Sequence, residues 1–173
     1  MRTVTALADH LAPDCIARLE RAAAERLAEA QLLRNQRRWL AALYLYGYTI
    51  EMCLAAAFFR SAGFHVTMPI DRDTRRRHMA QARRLRTLTG EPLMSSDPHP
   101  LVGWARFLEW QRHAVAPPTA EHAARLRQAV WQAEIAYKHW RPELRYKITD
   151  VAPSQIEELA KSAAWFLANL GRL

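Results

Sequence analysis

Glycine is scarce, with five residues in a chain of 173. Hairpins and phosphate-cradling loops draw their left-handed turn positions from glycine, so this scarcity argues against a β-sandwich or a Rossmann-type nucleotide fold. No Walker or dinucleotide glycine pattern occurs. Cysteine is rarer still. Cys15 and Cys53 stand alone, which excludes a disulfide framework and any cysteine-based zinc site. No His-x-x-x-His pair falls on an expected helix, so neither a metal nor a cofactor is expected. Lysine is nearly missing as well: of 25 basic residues only Lys138, Lys147 and Lys161 are lysine. Residues 1–12 have no hydrophobic stretch and no cleavage site of the signal-peptide kind, so the expectation is an uncleaved, cytoplasmic protein.

What the chain does contain is alanine, leucine, arginine and glutamate, with half its residues apolar and a formal net charge of +8. Half apolar is enough for one core, and the length suits one domain, so residues 1–173 are read as a single all-α bundle of five to six helices. The periodicity predicts helices over about 14–36, 37–62, 74–89, 101–115 and 119–140, and a last one opening at Ser154 and ending at Gly171. Asp14 is the expected cap of the first helix and Thr119 of the fifth. Ser154 and Glu157 are the expected capping box of the last. Arginine binds phosphate with two parallel hydrogen bonds and stacks on bases, which makes nucleic acid a natural partner for this composition. A GC-rich genome writing arginine codons into a solvated surface accounts for the same excess.

The second helix is the most informative segment. Trp39, Leu43, Tyr46, Ile50, Cys53 and Ala57 alternate spacings of four and three, the mark of a buried seam. From Trp39 to Phe59 the one charge is Glu51. Such a run is long enough to cross a bilayer, but a central carboxylate and basic flanks favour a core helix enclosed by others, and no membrane is expected. A carboxylate in that position must pair, hydrogen-bond or take a proton. The expected partner is Arg145, in the pinned-looking run from Trp140 to Tyr146, with Tyr146 packing or hydrogen-bonding nearby; the alternative is a Glu51 that faces a solvent gap and an exposed Arg145.

The run from Arg38 to Leu54, with Gly47-Tyr48-Thr49-Ile50-Glu51-Met52-Cys53-Leu54 at its centre, resembles the signature helix of bacterial HEPN-domain proteins. The segment Trp140 to Tyr146 is similar to a second landmark of some of those proteins, and His78-Met79-Ala80-Gln81-Ala82-Arg83-Arg84-Leu85 loosely fills the place of a helix between them. The resemblance implies a HEPN-like helical bundle, usually a homodimer, acting on or binding RNA. Some members are toxin-type ribonucleases of toxin–antitoxin or defence systems, paired with a nucleotidyltransferase-type antitoxin; others are non-catalytic subunits that bind nucleic acid or protein. Active members carry Arg-x(4–6)-His, in which arginine stabilises phosphate charge and histidine moves the proton without a metal.

Three pairs here have that spacing: Arg60 with His65, Arg72 with His78, and Arg106 with His113. Chance alone supplies about as many in so arginine-rich a chain. Arg60 is followed by a small polar residue, and Arg106 and His113 share one helical face, so Arg60, His65, Arg106 and His113 are the candidate catalytic residues. The last helix, where the motif is most expected, has no histidine. Independently, Arg72, Arg75, Arg76, Arg77, Arg83, Arg84 and Arg86 crowd fifteen residues near only two acids, Asp71 and Asp73. Arg75, Arg76, Arg77, Arg83 and Arg84 are the candidate nucleic-acid contacts. The tryptophans lie on apolar stripes and are expected in the core or at a dimer interface.

Overall fold

A computed structural model describes residues 14–87, 90–96, 99–146 and 150–173, and of residues 145 and 146 it describes the backbone. Six α-helices follow in order: α1 (Ile16–Asn35), α2 (Trp39–Ser61), α3 (Arg72–Arg84), α4 (Leu101–Val115), α5 (Ala120–His139) and α6 (Pro153–Asn169). Short 3₁₀ turns occupy Pro142–Tyr146 and Leu170–Arg172. Among the described residues there is no β-strand, only two isolated bridges, Asp14 with Ile70 and Arg86 with Pro92. The chain is an all-α bundle.

The apolar helix α2 lies at the centre and packs against α1, α4 and α6, while α4 and α6 close the bundle through α5. Its apolar residues therefore meet neighbours on nearly every side: Leu43, Tyr46, Ile50, Cys53, Leu54, Ala57, Phe58 and Phe59 are all buried. Phe58 stacks on Phe107 with centroids 4.5 Å apart and meets Trp104 at 5.2 Å, which knits α2 to α4. Polar clasps tie the outer helices: Ser162 donates to Gln132 across α6 and α5 at 2.7 Å, and Arg34 pairs with Glu157 across α1 and α6 at 2.7 Å.

Two residues outside the six helices set how the bundle closes. Gly63, at φ +85°, reverses the chain after α2, a conformation that costs residues with a Cβ. Trp140 follows α5, is fully buried, and lies flat on Gly47 of α2; its indole Nε1–H donates to the Tyr44 carbonyl at 3.0 Å. A Cβ at Gly47 would come within 2.2 Å of three atoms of the indole ring, far closer than any real contact. The absence of a side chain at 47 is what lets α2 accept the end of α5.

Several sequence expectations shift. Asp14 does not cap α1: the N-cap is Cys15, and Asp14 instead uses its carbonyl to accept from Ile70 N–H at 2.6 Å. Helix α3 begins two residues before Thr74, because Asp71 caps it by accepting from Thr74 N–H at 2.6 Å. It stops at Arg84, since Leu85 is extended and the chain turns to bridge Pro92; residues 88 and 89 of the expected helix lie outside the described residues. In α6 the cap is Ala152, with Pro153 in the first turn and the Gln155 side chain accepting from Ala152 N–H at 2.8 Å, so Ser154 and Glu157 form no capping box. Gly171 sits within the terminal 3₁₀ turn and does not end the helix as a left-handed residue. Of the tryptophans expected in the core or at a dimer interface, Trp104 and Trp140 are in the core, while Trp131 is 52% exposed. Thr119 does cap α5, accepting from His122 N–H at 3.2 Å.

Candidate nucleic-acid interface

Helix α3 stands at the edge of the bundle and buries only Thr74 and Ala82. His78 is its anchor. The imidazole meets Phe58, Phe59 and Phe64 edge-on at 5.3, 5.4 and 5.8 Å. Burial, followed by the charge of Arg77, holds its pKa below the ordinary histidine value. With His78 turned inward, the arginines face outward: Arg72, Arg76, Arg77, Arg83, Arg84 and Arg86 are exposed. Carboxylate compensation is thin. Arg76 has Asp73 at 3.9 Å, whereas Arg77 donates to Thr74 Oγ1 and Arg83 to the carbonyls of Ser95 and Ser96 at 3.0 and 3.4 Å. Arg72 and Arg84 have no ion pair among the described residues. The result is a solvated row of guanidiniums with most of its charge unopposed.

Arg75 is the exception and points the other way. Its Nη2 reaches Glu51 Oε1 at 3.3 Å, and its guanidinium lies 5.9 Å from the Trp104 ring. From the loop before α4, His99 Nδ1–H donates to Glu51 Oε2 at 2.8 Å. Glu51 is buried at 5% exposure, so its two oxygens are each satisfied from a different element. Tyr48 and Trp140 wall the imidazole at 5.9 and 6.1 Å. The acid is thus paired with Arg75 and hydrogen-bonded to His99, 24 and 48 residues away along the chain. The side chains of Arg145 and Tyr146, expected there, lie outside the described residues, although the 3₁₀ turn carrying them does pack on α2. His99 was missed because it sits in a proline-flanked loop with no periodicity to flag it.

The Arg–His pairs separate. Arg60 is held by Glu20 of α1 and donates to the Leu170 carbonyl at 3.4 Å; it clamps α1, α2 and the end of α6. His65 is on the turn beyond, its Nδ1 sharing a hydrogen bond with Thr67 Oγ1 at 2.9 Å. Arg72 is exposed on α3 while His78 is half-buried against the Phe58, Phe59 and Phe64 rings. Arg106 and His113 do line one cleft of about 690 Å³ formed by α4, α5 and residues Arg86, Thr87, Glu91 and Leu93. Within it Arg106 is bracketed by Glu134 at 3.1 Å and Glu91 at 4.0 Å.

A second basic knot lies where α4 and α5 meet Leu173. Arg112 donates to the Leu173 carbonyl at 2.5 Å, and burial together with Arg60 lowers its pKa. Burial likewise lowers that of His122, helped by the charges of Arg112 and Arg125. Cys53 is buried and its thiol is pushed up to about 12, chiefly by desolvation, so it is no nucleophile. Among the described residues no group of three histidine, cysteine, aspartate or glutamate side chains could hold a metal. Compared with protein-family models, curated proteins and solved structures, the chain matches none.

Proposed function

We propose that this chain binds RNA, holding the phosphate backbone along α3. The observation that carries this is the exposed arginine row of α3, most of whose guanidiniums have no carboxylate within ion-pair distance. Unopposed guanidiniums are costly neighbours for one another and are relieved by a polyanion, whose condensed counterions are released in exchange. The resemblance of the Gly47–Leu54 run to HEPN-domain proteins supports the same reading and gives RNA, instead of DNA, as the polymer. The expected homodimer and nucleotidyltransferase-type partner rest on that resemblance alone.

The test is the salt dependence of affinity for a single-stranded RNA. A variant with Arg76, Arg77 and Arg84 all changed to alanine should bind more weakly, and the slope of log K against log salt should fall by about 2. An unchanged slope in a variant with wild-type circular dichroism overturns the proposal.

A ribonuclease reading is favoured by one observation, the shared cleft of Arg106 and His113. There His113 would move the proton and Arg106, released from Glu134, would meet the phosphate. It predicts RNA cleavage in EDTA that is lost in Arg106→Ala and in His113→Ala. Equal cleavage by wild type and both variants marks a contaminating nuclease and removes this reading. In both readings the Arg60–Glu20 clamp is structural, so Arg60→Ala should lower stability, and His65→Ala should leave both activities unchanged.

A further inference from the structure

The cleft beside α4 contains more than its arginine and histidine, and one of its groups belongs also to the arginine row. Arg86 and Thr87, just past the end of α3, form its rim. Leu93 and Val130 give it apolar lining, and the half-buried Trp110 lines it as well. Next to Trp110 is Glu109, half-buried, whose carboxylate has no hydrogen bond or ion pair among the described residues. The adjoining cavity of about 580 Å³ continues past Arg106 toward Tyr137. A volume of this size suits a nucleoside.

We infer that the cleft lined by Trp110 and Glu109 takes an unpaired base of the RNA strand whose backbone lies on α3, and that the base it suits best is guanine. The inference rests on the RNA-binding reading above and extends it from the backbone to a base. Three features lead to it. Arg86 both terminates the arginine row and lines the cleft, so a strand tracking the row delivers its next nucleotide to the opening. Trp110 lines the cleft together with the apolar Leu93 and Val130, an aromatic and aliphatic lining of the kind that takes the face of a flat base. The Glu109 carboxylate presents two acceptor oxygens and no donor, and guanine alone among the four bases carries two adjacent N–H donors, N1–H and N2–H, on its pairing edge. A duplex hides that edge and that face, so the cleft selects single strands.

The probe is a labelled RNA octamer of uridine with one central guanosine, compared with its inosine counterpart, which lacks the N2 amine, and with the guanosine strand in a duplex. Fluorescence anisotropy gives each affinity across a salt series. Wild type should bind the guanosine strand more tightly than the inosine strand and than the duplex. Trp110→Ala should weaken single-strand binding roughly five- to a hundred-fold, leaving the salt slope unchanged. Glu109→Gln alters a half-exposed side chain and does not risk the core; it should abolish the preference for guanosine over inosine. If Trp110→Ala and Glu109→Gln both bind as wild type while the α3 triple variant loses affinity, the base site is wrong and backbone binding stands. If wild type binds none of the three RNAs, the α3 reading fails and takes the base site with it.

Discussion

Replacing Gly47 with alanine sets two effects against each other, and the structure decides which prevails. In an exposed helix the change gains about 1 kcal/mol from helix propensity. Here the added methyl would occupy the place of the Trp140 indole. Trp140 is fully enclosed, and its Nε1–H is spent on the Tyr44 carbonyl, so it cannot slide aside without losing that bond. Overpacking of this kind costs about 1–3 kcal/mol, and the lost hydrogen bond about 1 kcal/mol more. Gly47→Ala should therefore destabilise by about 1–3 kcal/mol after the propensity gain is subtracted. The assay is a urea unfolding midpoint at constant m-value, repeated in a Trp140→Ala background. There the cavity admits the methyl and the same change should become neutral or stabilising by up to about 1 kcal/mol, a coupling of about 2 kcal/mol between the two sites. Trp140→Ala alone should cost about 3–5 kcal/mol. A Gly47→Ala protein as stable as wild type would refute the reasoning.

Glu51→Ala leaves Arg75 and His99 facing apolar walls; because both remain about a third exposed, the cost is about 1–3 kcal/mol and not the larger loss of a sealed pair, checked by thermal melting. If Glu51 is held chiefly by Arg75, then Arg75→Ala lowers the melting temperature more than Arg145→Ala; the reverse order would transfer the role to Arg145. His78 has a folded-state pKa below its unfolded value, so the unfolded chain binds the extra proton, and stability present above about pH 6.5 is lost as the pH falls. Replacing it with phenylalanine, which fits the same aromatic cluster, should flatten the fall of the urea midpoint between about pH 7 and 5; an unchanged pH slope would show that His78 is not the group responsible.

The helical class and the central place of α2 were legible in the sequence, because burial on all sides demands apolar residues on all sides, whatever surrounds them. The same holds for the basic row: seven arginines so near one another cannot all find acids locally, and the helix that carries them has to face water. Helix ends were less legible. Asp14, Ser154 and Gly171 each have the right chemistry for a cap, but capping depends on backbone angles one or two residues away, which here fall at Cys15, Ala152 and beyond Asn169.

The sequence by itself determined that Glu51 needs a partner, that position 47 has no side chain, and that α3 is too basic to bury. Tertiary structure alone decided that the partners come from Arg75 and His99, that the space at Gly47 is filled by Trp140, and that the α4 face carrying Arg106 and His113 meets the end of the arginine row across a cleft. The division has a physical cause. Burial and helical period act between neighbours three and four residues apart and leave a pattern in the chain. The Arg75 and His99 contacts to Glu51 and the seating of Trp140 join residues 24 to 96 positions apart, whose proximity is set by how the helices pack and leaves no such pattern.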